Sequence, residues 1–425
     1  MDSAHRQRFE TEVRARFGSV AELCAELIRV PSENPPGDTR ALATLIEARL
    51  ATSPAIVVRR AVAKEPAVNL IAKLSGKRPG RRLIMNGHLD TFPVGNLPGW
   101  TVDPFGGIVR GGRLYGRGAA DMKAGLAAAV STALLMAEHR DAFAGELVLT
   151  LVGDEETGGE FGTRYLLANE PDAIGDAMIS GDAGSPDVLR FGEKGQLWIE
   201  LEARGESHHG AHVHLGDNAI ETLMGALERL TGLRDLSCPI PDAIRQAILA
   251  AGPRSELVSG IGETDALQRV TVNIGTIEGG ISVNLIPDRA IARADIRFPP
   301  GLAVADVSGE IRRLIGGLRN IRAAVLSSSE PNWTDPAQEI VVRTASNAAD
   351  ILGRAPARNM RLGFSDSRFY RYKSVPSVVY GPVPHNMGGP DEHVTLDDLR
   401  AVFYVHAMTA FDFLSHLGQT PLPRP

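Results

Sequence analysis

The stretch GHLDTFPVG, residues 87–95, follows the apolar run Leu83-Ile84-Met85 and puts His88 and Asp90 two positions apart. In a strand, residues two apart share a face, so the pattern predicts an imidazole and a carboxylate pointing the same way where a strand ends. An aspartate beside a ligand histidine can accept its second ring N–H, fixing the tautomer and raising its basicity. Alone, such a pair is also what a satisfied histidine near a strand end looks like. The neighbouring segments decide between the two. GRGAADMKAG (116–125) brings Asp121 to a glycine-rich bend that opens a helix, LVGDEETGG (151–159) ends an apolar run in Asp154-Glu155-Glu156, and ISGDAGS (179–185) ends another in Asp182. Four strand ends thus present acid or imidazole groups, and carboxylates gathered at one edge repel unless cations neutralise them. One or two divalent ions would do so.

Outward from this cluster, apolar runs at 82–85, 147–152 and 177–179 alternate with helical segments, notably 123–138, which predicts an α/β catalytic domain with a central mixed sheet flanked by helices. After Gly195 the order becomes strand (197–203), helix (218–230), two strands (270–277 and 289–298), helix (304–315) and strand (321–326), as in a ferredoxin-like α+β unit. Residues 234–265 interrupt this order without clear periodicity. From about Glu339 to His416 the α/β character returns, so the expected division is a discontinuous catalytic domain, 1–194 with 332–425, holding an inserted domain, 195–331. The proline-bearing tail 419–425 is expected to fray.

Composition narrows the function. At 425 residues the chain exceeds the roughly 250–300 of a single core. Hydrophobic residues at 43% and charged residues at 23% are those of a soluble globular protein, and no membrane span is expected. The charged N-terminus MDSAHRQRFETEVRARFG reads as a surface helix rather than an export signal, and Cys24 and Cys238 form no CxxC, so a cytoplasmic location is expected. A net charge of −6 without basic blocks argues against a nucleic-acid partner. Gly116-Arg117-Gly118 starts like a dinucleotide fingerprint but has Asp121 where the third glycine belongs, and no HExxH or GxSxG occurs. The histidine-rich ESHHGAHVHLG (206–216) can also be read as a surface loop that binds metal adventitiously.

As an ordered set, these motifs resemble the M20 metallohydrolase family, which includes acetylornithine deacetylase, succinyl-diaminopimelate desuccinylase and aminoacylase; the resemblance runs from about Ala21 to Phe413. It implies His88, Asp121, Glu156 and Asp182 as metal ligands, with Asp90 orienting His88, Asp121 bridging two ions and Glu155 acting as general base. It implies zinc, manganese or cobalt as the cofactor. The inserted domain becomes a lid and dimerisation domain, in which His209 stabilises the oxyanion although Val213 stands where the family has proline. Asn284, Arg297 and Arg368 become candidates for the substrate carboxylate. A homodimer or higher homo-oligomer is implied on the same ground.

One departure stands out. The family shows a metal-binding histidine four residues before a glutamate, whereas HNMGGPDEHV has Gly388 before Glu392, with His385 the nearest upstream histidine. Either His385 takes the role or one ion binds instead of two. Three functions follow. The first is hydrolysis of a C–N bond in a small carboxylated substrate, an N-acyl amino acid or short peptide. The second is hydrolytic deamination of an aromatic amine, as by 5-nitroanthranilate aminohydrolase of the same family. The third is a non-catalytic binding protein on this fold, against which the presence of Glu155 and the ligand set argues.

Overall fold

The computed structural model describes residues 3–95 and 97–415; the tail expected to fray lies outside them. The chain forms two compact units, one of Met1–Phe191, Trp333–Asn359 and Phe364–Pro425, the other of Gly192–Asn332 with Met360–Gly363.

The first unit is built on a nine-stranded mixed sheet, and its centre positions the chemistry. There Arg78–His88 lies between Ala144–Val152 and Ala177–Ser180, parallel to both, with His88 opposite Val152 and Asn86 opposite Ser180. Ser377–Val379 continues the parallel set beyond Ala177–Ser180, and the hairpin of Ile56–Lys64 and Ala67–Ser75 adds antiparallel strands outside Ala144–Val152. Strands covered on both faces read as unbroken apolar runs rather than alternations, and Leu147–Val152 is buried at every position. On one face, Ala124–Glu138 packs against Leu396–Ser415 and against the central strands. On the other, Thr163–Asn169 and Ser367–Tyr372 bring Leu166, Leu167 and Tyr370 onto Ile84, Val148, Val152 and Met178. The stretch Ala119–Glu138 is apolar enough to cross a membrane by length and composition, but 89% of its most apolar window is buried in the protein: it is the central core helix.

The second unit has a four-stranded antiparallel sheet in the spatial order Thr271–Gly279, Arg289–Phe298, Gly195–Arg204, Ile321–Ser329. Taken in chain order as strands 2-3-1-4, with helices Ala219–Thr231 and Val304–Ile315, this is the ferredoxin-like arrangement. Leu197, Ile199 and Leu201 from the sheet meet Leu223, Leu227, Val307 and Ile311 from the helices in one core. The aperiodic segment after Arg234 contains two helices, Asp242–Ser259 and Glu263–Gln268.

Candidate metal centre and its surroundings

Three adjacent parallel strands end at one edge of the sheet, where ligands collect in open α/β sheets. They deliver His88, the turn Glu155–Thr157 and Asp182. Asp121 arrives from the bend before Ala124–Glu138. That bend turns on Gly118, at φ +78°, where a Cβ would lie 2.5 Å from the Thr91 methyl. The helix start is also pressed against the strand-end loop carrying Asp182: a Cβ on Gly125 would lie 2.4 Å from the carbonyl oxygen of Gly181. Glycines therefore set the distance between two of the acids.

The ligand atoms of His88, Asp121 and Asp182 lie within 4.8 Å of one another, the one such group among the described residues. His88 Nε2 is 2.9 Å from Asp121 Oδ1. Burial alone would lower the His88 pKa, but the hydrogen bond to Asp121 and the charges of Asp121, Glu155 and Asp90 outweigh it and raise the group well above its ordinary 6.5. Burial pushes Glu155 well above the carboxylate range, and burial with the charge of Asp121 takes Glu156 to about 10. Glu156 Oε1 is buried with no hydrogen-bond partner. An imidazole and converging carboxylates, one carrying an orphaned buried oxygen, form a donor set that suits a divalent cation.

Asp90 is placed differently from the expectation. The second ring nitrogen of His88 is 2.8 Å from the main-chain carbonyl of Asp90, while the nearer carboxylate oxygen is 3.7 Å away. The fully buried carboxylate instead accepts the backbone N–H groups of Glu155 and Glu156, at 3.2 and 3.1 Å, and the Asn34 amide at 2.9 Å. Asp90 thus orients the histidine through its backbone and the glutamate turn through its side chain. Sequence reasoning missed Asn34. Its segment runs alongside Thr91, with Thr91 N–H donating to Ser32 and Asn34 N–H donating to the Thr91 carbonyl, a pairing with no local signal.

His385 does not join the converging ligands. Its ring stacks on that of His393 at 4.8 Å and 6°, the two residues form a β-bridge, and the His393 ring lies 4.7 Å from that of Tyr115. Glu392 is buried against Arg117 and accepts the N–H groups of Ala120 and Asp121 at 3.0 and 3.4 Å, which ties it to the Asp121 bend. The Arg117 guanidinium also donates to the carbonyls of Gly388 and Gly389, at 3.0 and 3.3 Å, so the loop lacking the histidine is fastened by its backbone.

Arg368 is buried, donates to the Ser365 carbonyl at 2.7 Å and lies over the rings of Phe364 and Phe369. In the second unit, Arg297 is paired with Asp295 on its own strand, at 2.7 and 3.1 Å. Asn284 is exposed, and its carbonyl accepts the N–H of Gly210 at 2.7 Å, which sets it beside His209. His209 is exposed too, and its Nδ1 accepts the Ala211 N–H at 3.1 Å. In the neutral ring this leaves the proton on Nε2, free to donate.

The family model of peptidase family M20/M25/M40 matches residues 84–412. The chain is 33% identical to a succinyl-diaminopimelate desuccinylase of Rhodospirillum centenum, over 78% of this chain and 80% of that one. It is 32% identical to the protein of that name from Methylobacterium nodulans, over 88% and 90%. Among solved structures, an M20 family metallo-carboxypeptidase from Sulfolobus solfataricus superposes with TM-score 0.75 at 20% identity, covering 92% of this chain and 98% of that one. The YXEP protein of Bacillus subtilis, described as a dinuclear metal binding peptidase, superposes with TM-score 0.67 at 15% identity, covering 94% and 99%. These last two share the fold. With the family model spanning most of the sequence, the chain belongs to peptidase family M20/M25/M40 and is a hydrolase of amide C–N bonds.

Proposed function

We propose that this enzyme cleaves the amide bond of a small carboxylated substrate, an N-acyl amino acid or a short peptide, with N-succinyl amino acids the first class to test. The observation that carries the reading is the convergence of His88, Asp121 and Asp182 beside the Glu155–Glu156 turn. The names of the desuccinylase relatives favour an acyl amino acid over an aromatic amine.

In this reading His88, Asp121, Asp182 and Glu156 would hold one or two divalent ions; zinc, manganese or cobalt suits the donors. A bound ion would supply Lewis acidity and lower the pKa of a water toward neutrality. With a cation beside it to offset the burial that raises its pKa, Glu155 would be ionised, take the proton from the attacking water and return it to the leaving nitrogen. His209 donates its Nε2 proton to the carbonyl oxygen as charge develops there. Asp90 keeps Glu155 and Glu156 aimed through their backbone N–H groups. Asn284 is the more available carboxylate-binding candidate, since the guanidinium groups of Arg297 and Arg368 are already engaged. We take the enzyme to be a cytoplasmic homodimer that binds neither nucleic acid nor membrane, which sedimentation and lipid and DNA binding assays check.

The test is a panel of N-succinyl, N-acetyl and dipeptide substrates scored for free amine release, with aromatic amines scored for ammonia. Amine release from an acylated amino acid is expected; ammonia release from an aromatic amine alone would overturn the assignment.

A further inference from the structure

We infer that this chain holds one divalent ion tightly and a second only weakly, because Gly388 stands where the second ion would find its imidazole and no other side chain replaces it. The inference rests on the ligand assignment proposed above. Among the described residues, His88, Asp121 and Asp182 are the one set of three whose ligand atoms converge. A second ion sharing Asp121 would draw on Glu156, whose buried Oε1 has no hydrogen-bond partner, and would need a third donor. Each candidate for that place is engaged elsewhere. His385 stacks on His393 across a β-bridge, and His393 Nδ1 lies 2.8 Å from the Asp391 carbonyl oxygen. Glu392 spends one oxygen on Arg117 and the other on the N–H groups of Ala120 and Asp121. Among the described residues, none of the three converges with Asp121 and Glu156.

Gly388 itself has room for a side chain. Its carbonyl accepts from Arg117 at 3.0 Å, and a Cβ built on it would meet nothing nearer than the ring of Phe92, 3.8 Å away and two residues past Asp90. That is ordinary contact. The left-handed φ of +73° strains most residues, but histidine, asparagine and aspartate are the side chains most enriched there. The loop is fastened by its backbone, so it has no donor to swing in. Removing a hydrogen-bond partner of a metal ligand costs about 10–100-fold in affinity, and lacking the ligand itself costs at least as much.

The experiment titrates the full chain, stripped of metal, with manganese in equilibrium dialysis and reads bound metal by elemental analysis. Manganese is the probe because exposed imidazoles, such as those of His209, His212 and His214, bind it weakly. Wild type is expected to show one tight equivalent per chain and a second step weaker by about tenfold or more. Gly388→His should turn the weak step into a second tight equivalent, and Gly388→Ala, with the same backbone strain and no donor, should not. His385→Ala should leave both steps where they are. Two equally tight steps in wild type, a step weakened in His385→Ala, or no difference between Gly388→His and Gly388→Ala overturns the inference. The wild-type and His385→Ala counts decide even if Gly388→His does not fold. No tight equivalent in wild type overturns the ligand assignment, and the inference with it. The count needs no substrate, so a failed substrate panel and a failed metal count give different results.

Discussion

At the scale of the residue, the centre is governed by what the Asp90 carboxylate does. The HxD pattern correctly set His88 at the strand end, but a two-residue period speaks only of side chains. It could not show that the ring would choose the Asp90 carbonyl and leave the carboxylate to the glutamate turn. Nor could it show Asn34, which is 56 residues earlier in the chain and reaches Asp90 only because its loop pairs with Thr91. Asn34 is accordingly a positioning residue. Asn34→Ala removes a hydrogen bond to a carboxylate, worth about 1.5–3 kcal/mol, and is expected to lower kcat about tenfold with KM and metal content unchanged. Asn34→Asp should be worse than alanine, because it sets a second carboxylate against Asp90. Steady-state kinetics with elemental analysis checks both, and an aspartate variant as active as wild type would refute the role. His385 illustrates the opposite limit. Distance along the chain made it the natural replacement for the histidine missing at Gly388, but its ring stacks on His393 across a β-bridge, a contact with no sequence signature.

At the scale of the element, the catalytic sheet was readable because its central strands are covered on both faces and appear as unbroken apolar runs. The helix Asp242–Ser259 was not readable for a physical reason: it buries Ile244, Ile248 and Ala251 but exposes Leu249 and Leu257, which blurs its period, and it carries Gly252-Pro253 in its interior. The last helix, Leu396–Ser415, holds a titratable group that reports on stability. His406 is buried, with Nε2 2.8 Å from the Tyr380 carbonyl, and burial lowers its pKa from 6.5 to about 4. The unfolded chain therefore takes up a proton near pH 6.5 that the folded one refuses until about pH 4. The stability associated with neutral His406 is complete above pH 6.5 and is lost as pH falls through that window. Its full size is on the order of 3 kcal/mol. Urea midpoints measured from pH 4 to 7 should fall with acidification, and His406→Gln should flatten that slope; an unchanged slope would contradict the assignment.

At the scale of the whole molecule, the change from alternating strands and helices to the ferredoxin-like order near Gly195 marks where one compact unit gives way to the other. One unit gives way to the other at Phe191/Gly192 and again at Asn332/Trp333, against the expected 194/195 and 331/332. The four residues Met360–Gly363, which group with the second unit, carry no comparable signal. Each unit has its own core, so damage to the core of the second should leave the metal ligands of the first in place. Leu223 is fully buried in the core of the second unit, and Leu223→Ala is expected to destabilise that unit by about 2–5 kcal/mol. Hydrogen exchange should accelerate across Gly195–Ser329 while metal content stays at the wild-type level; loss of metal would show that the two cores are not independent.

The central claim is that Glu155 moves the proton while its neighbours hold the metal. The most direct test is metal content and turnover measured together on Glu155→Gln and Asp182→Asn. Glu155→Gln should keep its metal and lose turnover by about 10²–10⁴-fold, the usual contribution of a general base. Asp182→Asn should lose metal and turnover together. Near-normal turnover in Glu155→Gln, or full metal content in Asp182→Asn, would contradict the account.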